Sequence, residues 1–374
     1  MAVELEPNEC KRVPVLAGSG AYEVVIGPGL LDQVGARARH EGLKGRCAVI
    51  TDSTVAELYG ARCLESLRAA GILAELFAVA AGEGSKSMEC AGDLCRRMLR
   101  AGLDRRSFVV VLGGGVPGDL GGFVAGIFQR GLPLVQAPTT VVAQVDSSVG
   151  GKTGVNAPEG KNLIGVFHQP RLVLADTDLL RTLPAREWNE GFAEVIKHAA
   201  IRDASLLDLV EKLGGASDEV VPELIERNVS IKAAVVAADE REISGVRALL
   251  NFGHTVGHAI EAAGGYGRFL HGEAISLGLR AALSLSVDKA GLGRVAARRV
   301  LAALRRFSLP TILPEDVATR EVMLYLERDK KFQDGKVRFV LLRALGDAFV
   351  SEAVTREDVE AAVDCLRRPE SGGR

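Results

Sequence analysis

Three of the six histidines, His254, His258 and His271, lie close together in the second half of the chain. Imidazole nitrogens and carboxylate oxygens are preferred ligands of catalytic zinc, which keeps a position open for substrate. Glu194, flanked by apolar residues in a predicted helix, offers the carboxylate, although an isolated glutamate is more often salt-bridged. Spacing alone favours His254 with His258, because residues four apart share a helical face. The cluster therefore predicts a zinc-type site.

A glycine-rich turn, GGGVPGDLGGF at 113–123, follows a strongly apolar run at 108–112. Glycines let backbone N–H groups approach a ligand, and a helix N-terminus favours anions, so the turn suits a pyrophosphate. We expect the helix to begin near Asp119. Such turns also arise from packing, and this one differs from GxGxxG. Asp52, Glu83 and Lys86 are further candidates for contacts with a nucleotide.

The segment 144–170 is unusually rich in glycine and polar residues, including Asp146, Lys152, Lys161 and Asn162. Lysine and amide side chains beside flexible glycines supply the donors that a phosphate site needs. A solvated loop is the alternative interpretation of this segment taken alone.

Short β-branched runs alternate with helix-length segments in the first half of the chain, which predicts a mostly parallel sheet wrapped by helices. The predicted strands are 22–26, 47–51, 74–79, 108–112, 134–137 and 172–175. The predicted helices between them include 53–70 and 86–101. This pattern is typical of a Rossmann-like nucleotide-binding domain.

The second half shows helical periodicity, with a small hairpin near its end. The predicted helices are 187–201, 221–239, 249–262, 272–290, 295–307 and 356–367, and the hairpin strands are 336–342 and 348–350. We therefore predict an α/β protein with an NAD-binding α/β domain at 1–178 and a mainly helical metal- and substrate-binding domain at 179–374. An active site is expected in the cleft between them.

Composition excludes several classes of protein. Lysine plus arginine (46) nearly balance aspartate plus glutamate (48), so the net charge of −2 favours neither nucleic acid nor an anionic membrane as a partner. Charged residues interrupt every apolar stretch of the N-terminus. A signal peptide and a membrane-spanning helix both need a continuous apolar segment, so neither is expected there. The six cysteines form no CxxC pair, which indicates reduced thiols. We expect a cytoplasmic protein.

Taken together, several strings in the same order closely resemble the 3-dehydroquinate synthase family, a branch of the sugar phosphate cyclases. The match runs from about residue 22 to 331, and its strongest parts are GGGVPGDLGGF, RGLPLVQAPTTVVAQVDSSVGGKTGVN, GKNLIGVFHQP, GFAEVIKHA and LNFGHTVGHAIE. The resemblance implies the dehydroquinate synthase-like fold and a cytoplasmic lyase, usually a homodimer, of the shikimate pathway to chorismate and aromatic amino acids.

The implied reaction converts 3-deoxy-D-arabino-heptulosonate 7-phosphate to 3-dehydroquinate and phosphate. It proceeds by NAD-mediated oxidation, phosphate elimination, reduction and intramolecular aldol closure, with bound zinc or cobalt. NAD is used catalytically, because the later reduction returns the hydride.

The resemblance also assigns residues. The implied metal ligands are Glu194, His254 and His271, which overrules the choice from spacing and leaves His258 near the reacting hydroxyl. The implied NAD contacts are Asp52, Glu83, Lys86, Gly114, Gly115, Val116, Asp119, Thr139, Thr140, Lys152, Lys161, Leu179 and Thr182. The implied substrate and catalytic residues are Arg130, Asp146, Lys152, Asn162, Lys197, Lys232, Arg247, Asn251, His258 and Lys330.

Within that substrate set, two recognition groups are implied. Lys152, Asn162 and Lys330, with Arg130 reaching across from a partner subunit, would bind phosphate, whereas Lys232 and Arg247 would bind carboxylate.

Three alternatives remain at this point. A sibling cyclase acting on sedoheptulose 7-phosphate would not need the set Lys232, Arg247 and Asn251, since that sugar has no carboxylate. A metal-dependent alcohol dehydrogenase would release NADH and would not need the phosphate-binding lysines. A non-catalytic nucleotide-binding regulator would be expected to lose residues such as Glu194 or Lys152, and both are present.

Overall fold

The structure is a computed structural model that describes residues 10–18, 20–265, 267–328, 332–333 and 336–369. Contacts divide the chain into two compact units. Unit 1 comprises the residues up to 183 together with 214–241, and unit 2 comprises 184–213 and the residues from 242 onwards. The sequence predicts a single boundary after 178, whereas here 214–241 returns to the first unit, because a long amphipathic helix in that segment packs on the sheet.

The described strands are numbered in chain order. They are β1 (Lys11–Ala17), β2 (Gly20–Gly27), β3 (Cys47–Asp52), β4 (Ala74–Val79), β5 (Phe108–Gly113), β6 (Leu134–Pro138), β7 (Lys152–Ala157), β8 (Gly160–Phe167), β9 (Leu172–Asp176), β10 (Phe332–Gln333), β11 (Lys336–Ala344) and β12 (Asp347–Val354). Each of the six strands predicted in the first half overlaps one of these.

The helices are numbered in the same way. They are α1 (Val34–His40), α2 (Ser53–Val55), α3 (Ala61–Ala69), α4 (Met88–Arg100), α5 (Gly115–Ile127), α6 (Ala185–Glu190), α7 (Phe192–Ile201), α8 (Leu206–Lys212), α9 (Val221–Ala238), α10 (His254–Ala263), α11 (His271–Ala290), α12 (Arg294–Arg306), α13 (Thr319–Arg328) and α14 (Arg356–Cys365). Shorter helical turns connect several of them, including Glu83–Ser85, Phe128–Arg130, Ala143–Ser147, Thr177–Thr182 and Arg247–Asn251.

Unit 1 is built on a seven-stranded sheet in the order β1-β2-β9-β6-β5-β3-β4. All neighbouring pairs are parallel except β1 with β2, which form an antiparallel edge. Alternate residues of β5 supply two different cores: Phe108 and Val110 join a cluster with Val34, and Val109 and Val111 join a cluster with Phe123. Burial on both faces explains the continuous apolar run of this strand, and the predicted α/β class is confirmed.

One local prediction for unit 1 is corrected, and one alternative is decided. The helix expected to begin near Asp119 begins at Gly115, because Pro117 is tolerated in a first turn whose N–H groups have no helical partner. Within the polar segment 144–170, for which a solvated loop was the alternative interpretation, residues 152–167 form an antiparallel hairpin of β7 and β8, whose second strand is largely exposed. Glycine and asparagine are depleted in strands, so its composition concealed it.

Unit 2 is mainly helical, as predicted, and carries a three-stranded sheet in the order β10-β11-β12. The predicted hairpin at 336–350 corresponds to β11 and β12. None of the helices among the described residues combines the length and hydropathy that crossing a membrane requires.

One buried arginine, Arg280, connects α11 to two other segments of unit 2. The guanidinium of Arg280, on α11, donates to the backbone oxygens of Thr311, Cys365, Leu366 and Arg368, the last three at the end of α14. The carbonyls of Cys365, Leu366 and Arg368 accept no hydrogen bond from within α14 and lie at the negative end of its dipole. Arg280 therefore holds the end of α14 against α11.

We expect Arg280→Met to lower the free energy of unfolding by about 3 kcal/mol, because it removes several charge-assisted hydrogen bonds between the guanidinium and backbone carbonyls. Urea denaturation followed by circular dichroism measures this change. Arg298→Met is the matched control, since Arg298 is exposed on α12, and should change stability by less than about 0.5 kcal/mol. Equal effects of the two substitutions would contradict the role of Arg280.

Candidate active site

Unit 2 brings a carboxylate and two imidazoles to one point. Glu194 lies in the first turn of α7, and His254 and His271 are the first residues of α10 and α11. The Nε2 atoms of His254 and His271 lie 3.3 and 3.2 Å from Glu194 Oε1. The three side chains offer ligand atoms that all lie within 4.8 Å of one another. One carboxylate oxygen with two imidazole nitrogens fits the donor set of a catalytic zinc site.

Glu194 has no exposed surface, yet it is strongly favoured as a carboxylate. Burial alone would raise its pKa, but Lys197, which forms an ion pair with it, and His254 hold the pKa well below its ordinary value. Burial lowers the pKa of His254, although the negative charge of Glu194 acts to raise it. This imidazole therefore favours the neutral form, which can bind a metal. Burial also acts to lower the pKa of His271, but hydrogen bonding and charge from Glu194 raise it. The ionised carboxylate of Glu194 and the neutral imidazole of His254 suit a bound cation.

The start of α11 is held by a residue that sequence reasoning did not select for the site. Glu190 Oε2 accepts the backbone N–H of Gly272 at 2.7 Å, next to His271. Gly272 must be glycine here, because an added Cβ would lie 1.9 Å from the backbone oxygen of Glu190. Burial raises the pKa of Glu190. Its signal in the sequence is its position one helical turn before Glu194.

His258 lies close to this cluster without joining it. Its ring centroid is 5.1 Å from that of His254 and 5.9 Å from that of His271. One group of side chains able to hold a metal joins Glu194 with His254 and His271, and His258 does not belong to it. A shared helical face therefore places His258 beside the site, whereas the separate start of α11 supplies the second imidazole.

Unit 1 presents a different site at the carboxyl ends of its parallel strands. Gly114 is the N-cap of α5, directly after β5, and no side chain caps this helix. A Cβ on Gly114 would lie 2.9 Å from Thr140 Cγ2, so the backbone is held close to the loop after β6. The backbone N–H of Thr139 donates to the oxygen of Gly113 at 3.0 Å. The turn keeps the N–H groups of Gly115 and Val116 at a helix N-terminus, which suits a pyrophosphate.

Charged residues surround this turn in pairs. Lys86 Nζ lies 2.6 Å from Asp119 Oδ2 in a largely buried ion pair, and burial raises the pKa of Asp119 although Lys86 opposes the rise. Burial would also raise the pKa of Glu83, but Lys86, Asn156 and Lys161 together hold it below its ordinary value. Lys161 Nζ lies 3.7 Å from Glu83 Oε1. The predicted NAD residues Glu83, Lys86, Asp119 and Lys161 thus form one connected group.

Three further predicted NAD residues, Asp52, Leu179 and Thr182, lie at or beyond the carboxyl ends of strands β3 and β9. Asp52 ends β3 and accepts the backbone N–H of Val55 at 2.9 Å. Thr182 bonds to the buried hydroxyl of Tyr59 and donates to the backbone oxygen of Leu179 at 3.2 Å. Sequence reasoning missed Tyr59, which had no signal beyond an apolar helical position.

Two predicted phosphate-binding residues have an uncommon backbone conformation. Arg130 and Asn162 have φ values of 68° and 58°, in the left-handed region. Asparagine tolerates this region, but it costs a long-chain residue such as arginine about 1 kcal/mol or more. Lys152 begins β7 and is exposed. Strain of this kind clusters at functional sites.

The other predicted substrate residues are distributed between the units. In unit 1, Lys232 Nζ lies 2.7 Å from the backbone oxygen and 2.8 Å from Oδ1 of Asp146. In unit 2, Arg247 is buried at the start of a helical turn that Asn251 ends. Lys330 lies outside the described residues, so its predicted role stays a prediction.

Comparison with known proteins links both sites to one family. The 3-dehydroquinate synthase N-terminal family model matches residues 76–190, and the C-terminal model matches 191–332. The chain is 48% identical over 361 residues to a 3-dehydroquinate synthase of Caulobacter vibrioides, covering 94% of this chain and 97% of that protein. It is 47% identical over 358 residues to one from Symbiobacterium thermophilum, with coverages of 94% and 99%.

A solved structure also matches the fold over almost its whole length. It is a 2-epi-5-epi-valiolone synthase from Streptomyces hygroscopicus subsp. jinggangensis with NAD⁺ and Zn²⁺ bound. It is 31% identical with a TM-score of 0.85, and the match covers 95% of this chain and 99% of that one. The chain is thus similar over nearly its whole length both to these synthases and to an enzyme that binds NAD⁺ with zinc.

We expect Gly272→Ala to weaken zinc binding about ten- to a hundredfold, because the new Cβ must push the first turn of α11, and His271 with it, away from Glu190. A competition titration with a chromophoric chelator measures the affinity. Glu194→Ala is the reference for complete loss, of metal and activity together. Gly293→Ala is the matched control, since an added Cβ there meets no atom within 4 Å. Wild-type zinc affinity in Gly272→Ala would contradict this positioning.

Proposed function

The chain belongs to the 3-dehydroquinate synthase family, and we propose that it acts as a phosphate-eliminating lyase dependent on NAD and a divalent metal, zinc or cobalt. It converts 3-deoxy-D-arabino-heptulosonate 7-phosphate to 3-dehydroquinate and phosphate, a step of the shikimate pathway. The observation that carries this proposal is the near-full-length identity to two 3-dehydroquinate synthases, which is well above that to the valiolone synthase.

Both cofactors fit the residues present. Glu194, His254 and His271 would hold the metal, and the glycine turn of α5 with the loops after β3, β4, β6 and β9 would hold NAD. A metal held there would lower the cost of forming an alkoxide from the substrate hydroxyl, and NAD would supply a hydride acceptor that can return the hydride.

The unit 2 residues near the metal set would handle protons and charge. His258 lies beside the metal-ligand imidazoles, which suits it to take the proton of the reacting hydroxyl. Lys197 is almost completely buried beside Glu194 and would hold a substrate oxygen by a charge-assisted hydrogen bond.

Recognition of the substrate's two anionic groups would use separate residues. Lys152, Asn162 and Lys330, with Arg130 of a second subunit, would bind the phosphate. Lys232 and Arg247, with Asn251, would bind the carboxylate, and the planar guanidinium suits two parallel hydrogen bonds. Asp146, which already contacts Lys232, would orient that ammonium group.

The alternative substrate, sedoheptulose 7-phosphate, has no carboxylate. Its cyclase would have no use for Lys232 and Arg247, and both are buried cationic side chains here. Two cationic side chains, one of them a planar guanidinium, suit the recognition of a carboxylate. The carboxylate-bearing substrate is therefore favoured.

We further propose a cytoplasmic homodimer. All six cysteines are free, which suits a reducing compartment. Strand β8 exposes Leu163 and Ile164, at 62% and 40% of their surface, on a two-stranded hairpin. Adjacent exposed apolar side chains on a sheet edge favour contact with a second copy.

The first test is an assay that records phosphate release and NADH absorbance in one cuvette, with the heptulosonate phosphate, NAD and zinc. We expect phosphate to appear without accumulation of NADH, because the hydride is returned within each turnover. Stoichiometric NADH would indicate a dehydrogenase. Release of phosphate from sedoheptulose 7-phosphate alone would indicate the sibling cyclase.

The second test concerns assembly. We expect the double substitution Leu163→Asp with Ile164→Asp to convert the dimer to monomer at micromolar concentration, because carboxylates buried without partners cost several kcal/mol. Sedimentation velocity distinguishes the two states. Leu73→Asp is the control, since Leu73 is equally exposed, at 64%, on another part of unit 1. A wild-type protein that sediments as a monomer would refute the dimer.

A further inference from the structure

Asn156, the next-to-last residue of β7, bonds to two separate segments of unit 1. Its side-chain Nδ2 donates to Glu83 Oε1 at 2.8 Å, and its Oδ1 accepts the backbone N–H of Asn162 at 3.0 Å. Its backbone N–H donates to the oxygen of Lys86 at 2.8 Å. One residue thus joins the loop 83–86 to the start of β8.

The two segments that Asn156 joins, 83–86 and the start of β8, have different proposed ligands. Glu83 and Lys86 belong to the proposed NAD site, and Asn162 belongs to the proposed phosphate site. Lys86 extends the connection to α5 through its ion pair with Asp119. A continuous chain of polar contacts therefore runs from the first turns of α5 to the hairpin.

The chemistry of this position requires an amide. One neighbour is a carboxylate and needs a donor, whereas the other is a backbone N–H and needs an acceptor. An amide side chain presents both, while a carboxylate presents only acceptors. The acceptor also ties down Asn162, whose φ of 58° is uncommon for a residue other than glycine.

We propose that Asn156 is a positioning residue that holds the Glu83 carboxylate and the Asn162 backbone in the arrangement that the cofactor and the phosphate group need. This inference rests on the proposed function for the identity of the two ligands. It assigns Asn156 no contact with either of them.

The substitutions Asn156→Ala and Asn156→Asp test the proposal, with Glu159→Gln in the exposed turn of the same hairpin as control. We expect Asn156→Ala to weaken NAD binding, measured by calorimetry, and to raise the KM for the sugar phosphate, each about tenfold, with a smaller change in kcat. Tenfold corresponds to about 1.4 kcal/mol. The control should match the wild type in both.

Asn156→Asp supplies a signature that a purely structural role would not give. This substitution places a second carboxylate beside that of Glu83. The other charged groups near Glu83 are Lys86, Lys161 and Asp119. Near pH 8 the two carboxylates repel, and at lower pH a shared proton restores a hydrogen bond between them. NAD affinity of this variant should therefore recover severalfold between pH 8 and about 5.5 relative to wild type, and that of Asn156→Ala should not.

A measurement without any ligand separates this inference from the proposed function. Amide hydrogen exchange in the 160–167 peptide should be faster in Asn156→Ala than in wild type or Glu159→Gln, because the N–H of Asn162 loses its acceptor. Unchanged exchange, or NAD binding that is equal in Asn156→Ala and wild type, would overturn the role of Asn156. If the wild type bound no NAD while exchange still rose, the proposed function would fail and the anchoring of Asn162 would stand.

Discussion

The arrangement of unit 2 depends on one fully buried carboxylate. Glu194 has no exposed surface, and an isolated charge in that position would cost several kcal/mol. Lys197 on the same helix and the imidazoles of His254 and His271 on two others provide the compensation. Because both histidines stand at the first residues of their helices, the starts of α10 and α11 must both meet α7 at this point. A bound divalent cation would satisfy the same constraint.

Unit 1 follows a different constraint, which is the common direction of its strands. Six of the seven strands run parallel, so the loops that follow them all lie on the side of the sheet where the strands have their carboxyl ends. Residues as distant in sequence as Asp52 and Thr182 therefore both lie at or beyond the carboxyl ends of strands of this sheet. Ligands bind at the carboxyl ends of strands in open α/β sheets for this reason. The glycine turn after β5 adds a helix N-terminus without a side-chain cap.

Local strain and polar contacts accompany each other in the hairpin of unit 1. Asn162 adopts a left-handed backbone, and Asn156 accepts its N–H group. Asparagine tolerates this region, and the hydrogen bond to Asn156 holds its backbone there. The same asparagine donates to Glu83. A single side chain therefore positions both the backbone at the start of β8 and the carboxylate of Glu83. In unit 2, Glu190 acts similarly on the start of α11.

The sequence by itself determined the class of the fold and the types of residue that do the chemistry. Strand β5 is buried on both faces, so its apolar run was visible, and the long helices of unit 2 showed their period. The ordered motifs indicated the family. Local pattern failed where composition and structure disagree, as in the glycine-rich hairpin β7–β8.

Only the tertiary structure decided which of these residues meet. Spacing favoured His258 as the partner of His254, yet the start of α11 brings His271 to Glu194 instead. Segment 214–241 belongs with the sheet of unit 1, which no boundary drawn along the sequence could express. Glu190, Tyr59 and Asn156 act through contacts with residues distant in sequence or with backbone atoms. Sequence patterns record the periodicity of one element, whereas such contacts depend on how separate elements pack.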